Sequence, residues 1–222
     1  MLDADTPPMP RTGTRSRAAW LGVLAWCGVA GWFAFVQGHR VPVLWGVDLG
    51  FHELGHLIMY MIPINQVLTA AMGSTMQCAV PTGLAAYFWF VRRDGVGTCT
   101  CLAWAATNFQ DASVYIADAP YQRLQLIGGE HDWAFVLGPE HLNKLQDAGT
   151  IAAVVRNVGL ALLLLAIAGA LRGFLDARPS TRASIPVAAT GPTPGDLLPN
   201  TSRTPFANQY RPNTRSWSSD RR

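Results

Sequence analysis

The sequence predicts an all-α protein, a polytopic transmembrane helix bundle of about five spans, and three observations predict it. Half of its 222 residues are hydrophobic and only 14% are charged, a balance that suits a chain solvated largely by lipid and carrying polar ends. Apolar stretches of about twenty residues, the length that crosses a bilayer as a helix, recur along the chain. Polar residues inside them recur at three- and four-residue spacings, which gather them on one face of a helix.

Taken in order, residues 1–17 hold three prolines, two aspartates and three arginines, too little apolar matter to fold alone, so a disordered leader is expected. Residues 18–37 are apolar and rich in tryptophan behind a basic flank, without a small-residue cleavage site, which makes them an uncleaved first span. Pro42 stands where a helix can begin and Pro63 stops one about a bilayer thickness later, so residues 42–62 are the second span. Residues 67–91 are the third. There Gly73, Ser74, Gln77 and Pro81 form a small and polar patch, suited either to close approach of a neighbouring helix or, through Ser74 and Gln77, to hydrogen bonding a bound backbone. Residues 97–117 and 151–171 are the fourth and fifth spans, joined by a polar loop over 118–150. The Pro-, Ser-, Thr-, Asn- and Arg-rich stretch 172–222 reads as a disordered tail, leaving one membrane domain over 18–171.

The second span carries His52-Glu53-Leu54-Gly55-His56, an H-E-x-x-H motif. On a helix the two histidines project from one face and can share one Zn²⁺, with Glu53 beside them to take a proton from the attacking water. Three ionisable residues in an otherwise apolar segment cost roughly 2–3 kcal/mol each at mid-bilayer unless paired or ligated, which favours the metal reading over chance. Asp48, four residues before His52 on the same face, suits either orientation of that imidazole or a capping or pore-lining role.

The fourth span places Asn108, Asp111, Tyr115 and Asp118 on one face, a polar stripe directed at the bundle interior. Alternating crossings make the second and fourth helices parallel. At 1.5 Å per residue His52 and His56 lie about 17 and 23 Å along theirs, and Asp111 about 21 Å along its own. Two histidines and a carboxylate at one level make a catalytic zinc set with an open fourth position. The 118–150 loop centres on Gly128-Gly129-Glu130-His131-Asp132-Trp133. His131 or Asp132 serves there as ligand, gate or substrate contact, or the segment is a solvated loop with an interfacial Trp133.

Composition also excludes some functions. A net charge of +3, with sixteen of seventeen basic residues arginine, is too small and dispersed for nucleic-acid binding. Cys27, Cys78, Cys99 and Cys101 show no C-x-x-C spacing, so buried small hydrophobes are expected rather than a disulfide framework. Basic flanks balance six against six across the five spans, which leaves orientation open and allows one span to be re-entrant.

With the motif, the intervening span and the Asp111 helix in hand, residues 41–118 resemble the catalytic core of the site-2 protease family of intramembrane zinc metallopeptidases, in a divergent bacterial branch. The third-helix segment here reads Asn108-Phe109-Gln110-Asp111-Ala112-Ser113, keeping the asparagine of the family's N-P-x-x-x-L-D-G pattern but neither its proline nor its glycine. The resemblance implies a three-helix core, His52, His56 and Asp111 as zinc ligands, and Glu53 as general base. It also implies a transmembrane segment of another protein as substrate, and a multi-pass location in the bacterial cell membrane in contact with lipid. Asn108, Asp48, His131 and Asp132 stand as accessory candidates. The alternative reading is a metal-binding membrane scaffold that holds a partner helix without cutting it, and oligomeric state is left open.

Overall fold

The computed structural model describes residues 16–62, 65–126 and 129–177. Over these residues the chain is all-helical, with six α-helices and no strand. Most of the expected leader, Pro63, Gly128 and the tail beyond Ala177 lie outside the described residues.

Local chemistry sets most helix starts. Helix α1 (Arg17–Gly31) opens on Ser16, whose Oγ accepts the Ala19 N–H at 3.3 Å, and passes into a π-helical turn, Trp32–Val36. Helix α2 (Leu44–Tyr60) begins two residues after Pro42 rather than on it, because Val43 turns the chain with φ +68°, a conformation costly for a β-branched residue. Helix α3 (Gln66–Tyr87) opens on Asn65, whose Oδ1 accepts the Val67 N–H at 2.8 Å, and runs unbroken past the buried Pro81. It ends in a second π turn, Phe88–Arg92. Helix α4 (Gly95–Asp118) is capped by Asp94, each cap satisfying a donor that the first helical turn leaves unpaired. A short helix α5 (Asp132–Leu137) lies within the expected polar loop, and α6 (Ala148–Asp176) runs five residues beyond the expected limit of 171. Residues 172–176, expected in the tail, are therefore helical.

Two of the described stretches, Arg17–Val36 and Leu145–Asp176, are long and apolar enough to cross a membrane. Helix α2 has 17 residues and carries Asp48 and Glu53, and α3 and α4 are less apolar than α1 and α6.

Helix α4 is the centre of the packing, lying against α6, α3 and α1. One core joins α1, α4 and α6 through Val23, Cys27, Cys99, Ala103, Ala106, Leu163, Ala166 and Ala170. Most of these are small, which lets helices approach closely and gain dispersion contacts without bulk. A second core, Ile116, Ala119, Val136, Leu137, Ala148 and Ala152, fastens α5 between α4 and α6. The four cysteines are free, with Cys27, Cys99 and Cys101 buried.

Candidate metal centre

Helix α2 packs on α3 through two glycines. A Cβ on Gly55 would stand 2.4 Å from the Met72 carbonyl oxygen, and one on Gly73 would stand 2.5 Å from the Nε2 atoms of both His52 and His56. Only hydrogen at these positions lets the helices close and leaves space at the imidazole tips. The expected close approach at the Gly73 patch is therefore present, and it lies at the motif.

Each imidazole is held by its other nitrogen. His52 Nδ1 lies 3.3 Å from Gln77 Oε1, and His56 Nδ1 lies 2.8 Å from the Thr69 carbonyl oxygen. Acceptors at both Nδ1 atoms hold a proton there and aim both Nε2 atoms into the cleft. These converge on Asp132 Oδ2, at 3.1 Å from His52 and 3.3 Å from His56. The side chains of His52, His56 and Asp132 are 11%, 12% and 20% exposed, and they are the cluster among the described residues whose ligand atoms come within reach of one ion. Ligand atoms about 2.0–2.1 Å from a tetrahedral zinc lie about 3.3 Å apart, so the two histidine–carboxylate distances fit. Both histidines also have the outer acceptors that such ligands need.

Asp132 reaches this point from outside the motif helices. Burial alone would raise its carboxyl, but hydrogen bonds and charge from His52 and His56 prevail and hold it well below the usual carboxylate range. The neighbouring His131 caps α5, its Nδ1 accepting the Ala134 N–H at 3.2 Å, and its Nε2 lies 3.4 Å from Asp118 Oδ2. Burial pushes that imidazole below its ordinary value against the pull of Asp118. Asp118 also accepts the N–H groups of Arg123 and Leu124, so it organises the loop that returns to the site.

The resemblance implies Asp111 as third ligand, and the structure places its carboxylate outside the His52–His56–Asp132 cluster. Asp111 lines the same cleft as the histidines, at the expected level, but its carboxylate is taken by Arg40 Nε at 2.7 Å and Gln77 Nε2 at 2.9 Å. The Arg40 guanidinium neutralises it and the Gln77 amide stands between it and His52. Asp48 does not orient His52. Its Oδ1 accepts Trp104 Nε1 at 2.7 Å and Asn108 Nδ2 at 3.1 Å, tying α2 to α4. Asn108 is thus a partner of Asp48, fully buried. Ser74 accepts Trp133 Nε1 at 3.0 Å and joins α3 to α5.

Glu53 lines the cleft of about 350 Å³ that contains both histidines and Asp132, and is exposed with no hydrogen bond among the described residues. A carboxylate so placed is free to hold a water and take its proton. An adjoining cavity of about 530 Å³ reaches Asp48 and Gln110 and shares Arg40, Trp45, Asp111 and Gln125 with the cleft. Arg40 and Thr69 were not legible as site residues. Gln77 stood in the polar patch of the third span and Tyr115 in the polar stripe of the fourth, signals that marked both residues but not the partners they hold here.

Comparisons with family models, with curated proteins and with solved structures give no match to this chain.

Proposed function

We propose that this protein is an intramembrane zinc metalloendopeptidase of site-2 protease type, acting on transmembrane segments of other proteins from a multi-pass, five-span position in a bacterial cell membrane. The observation that carries the reading is the convergence of His52 Nε2, His56 Nε2 and Asp132 Oδ2 with Glu53 in the same cleft. The three ligand residues would hold Zn²⁺, which as a Lewis acid supplies polarisation of the scissile carbonyl and acidification of the attacking water.

The chain's own residues do the rest. Glu53 takes the proton from that water and returns it to the leaving amine. Gln77 and the Thr69 carbonyl keep the two imidazoles turned tip-first into the cleft. The cleft continues into the adjoining cavity past Arg40 and Asp111, giving room for a locally unwound stretch of chain, the form in which a helix can offer a carbonyl. A base in the cleft favours this reading over a scaffold that binds metal without cutting, which has no use for one.

The test is cleavage of a model transmembrane substrate by purified protein in detergent, with zinc measured on the same samples. Glu53→Gln should keep its zinc and lose at least about 100-fold in rate. Equal cleavage by the variant removes Glu53 from the mechanism, and zinc without cleavage of any candidate favours the scaffold.

A further inference from the structure

We infer that Tyr115 is the positioning residue that makes Asp132 a metal ligand; the inference rests on the zinc reading of the site. Asp132 is the first residue of a six-residue helix at the end of a loop, and such a segment holds a carboxylate in place only if something rigid grips it. Tyr115, on the long central helix α4, grips it twice. Its hydroxyl accepts the Asp132 backbone N–H at 3.0 Å and donates to Asp132 Oδ2, the oxygen the histidines face, at 3.2 Å.

The same ring stacks on His131, with centroids 4.3 Å apart and planes at 29°, and lies against His52, centroids 6.0 Å apart. One aromatic side chain therefore touches a motif histidine, the loop ligand and the residue that caps the loop helix. The backbone contact matters as much as the side-chain one. An N–H in the first turn of a helix has no partner within the helix, and the phenol oxygen supplies it, fixing where the helix begins and hence where the Asp132 side chain projects.

The hydroxyl acts through Asp132, and that makes the inference separable from a general packing role. Zinc affinity is measured on the full chain in detergent by competition with a chromophoric chelator, for wild type, Tyr115→Phe, Asp132→Ala and the double variant. The visible spectrum of the Co²⁺-loaded protein reports the ligand set. Tyr115→Phe keeps the ring and its stacking, so folding is preserved. It should lower zinc affinity about 10–100-fold and alter the cobalt spectrum in the direction of Asp132→Ala, and it should add nothing once Asp132 is already alanine. Unchanged affinity in Tyr115→Phe overturns the assignment, as does an equal loss in both backgrounds, which would mark a structural effect. Wild type that takes up neither zinc nor cobalt fails in a different way, removing the metal reading and this inference with it.

Discussion

Asp111 reaches His52 through a single amide: Gln77 Nε2 donates to Asp111 Oδ2 at 2.9 Å, and Gln77 Oε1 lies 3.3 Å from His52 Nδ1. On the proposed reading, the aspartate on the central helix steadies a ligand. Gln77→Leu should keep stoichiometric zinc but weaken its affinity about 10–100-fold, the usual penalty for losing an outer partner of a metal-bound histidine. Chelator competition on the purified variant checks it, and undiminished affinity would mean that the amide does not orient His52.

Gly73 should tolerate no side chain. A methyl there stands 2.5 Å from both Nε2 atoms, in the space an ion between them would use. Gly73→Ala is expected to lose zinc while gaining slightly in helix propensity, by up to about 1 kcal/mol. Gly83→Ala on the same helix, where a Cβ meets nothing within 4 Å, is the control and should keep its metal. Metal analysis of the two variants together with circular dichroism separates loss of the site from loss of fold.

Leu137 is 2% exposed in the core that fastens α5. Leu137→Ala should destabilise by about 2–5 kcal/mol through the cavity it leaves. Because Asp132 opens the same helix, zinc affinity should fall too, although Leu137 is not among the residues that line the metal cleft. Thermal unfolding and zinc titration of one preparation read both effects, and a destabilised variant with wild-type zinc affinity would show that the docking of α5 does not set the ligand.

Trp104 donates to the buried Asp48 at 2.7 Å. Trp104→Phe removes a charge-assisted hydrogen bond between α4 and α2 and should cost about 1.5–3 kcal/mol, with zinc affinity close to wild type because neither residue touches the imidazoles. Unfolding in detergent measures the first and chelator competition the second.

The all-helical character was legible because helical periodicity and apolar content are written along each segment, and the histidine pair was legible because H-E-x-x-H fixes both residues on one helix face. Depth along parallel helices placed Asp111 in the cleft, but depth says nothing about which carboxylate lies against the imidazoles. That turns on Arg40, in the connector before α2, which occupies Asp111, and on Tyr115 and Asp118, which hold the loop that carries Asp132. Both are contacts between residues distant in sequence, with no spacing to announce them. The limit of the last helix was misplaced because Arg172 and Asp176 are charged yet helical, an i, i+4 pair 3.7 Å apart.

The comparison that tests the metal centre most directly is zinc content and affinity in Asp132→Ala against Asp111→Ala. The predicted result is a zinc affinity that falls much further in the Asp132 variant than in the Asp111 variant, which still binds a single ion with affinity reduced by no more than about 10–100-fold. An Asp111 variant without metal beside an Asp132 variant with full wild-type zinc would contradict the account.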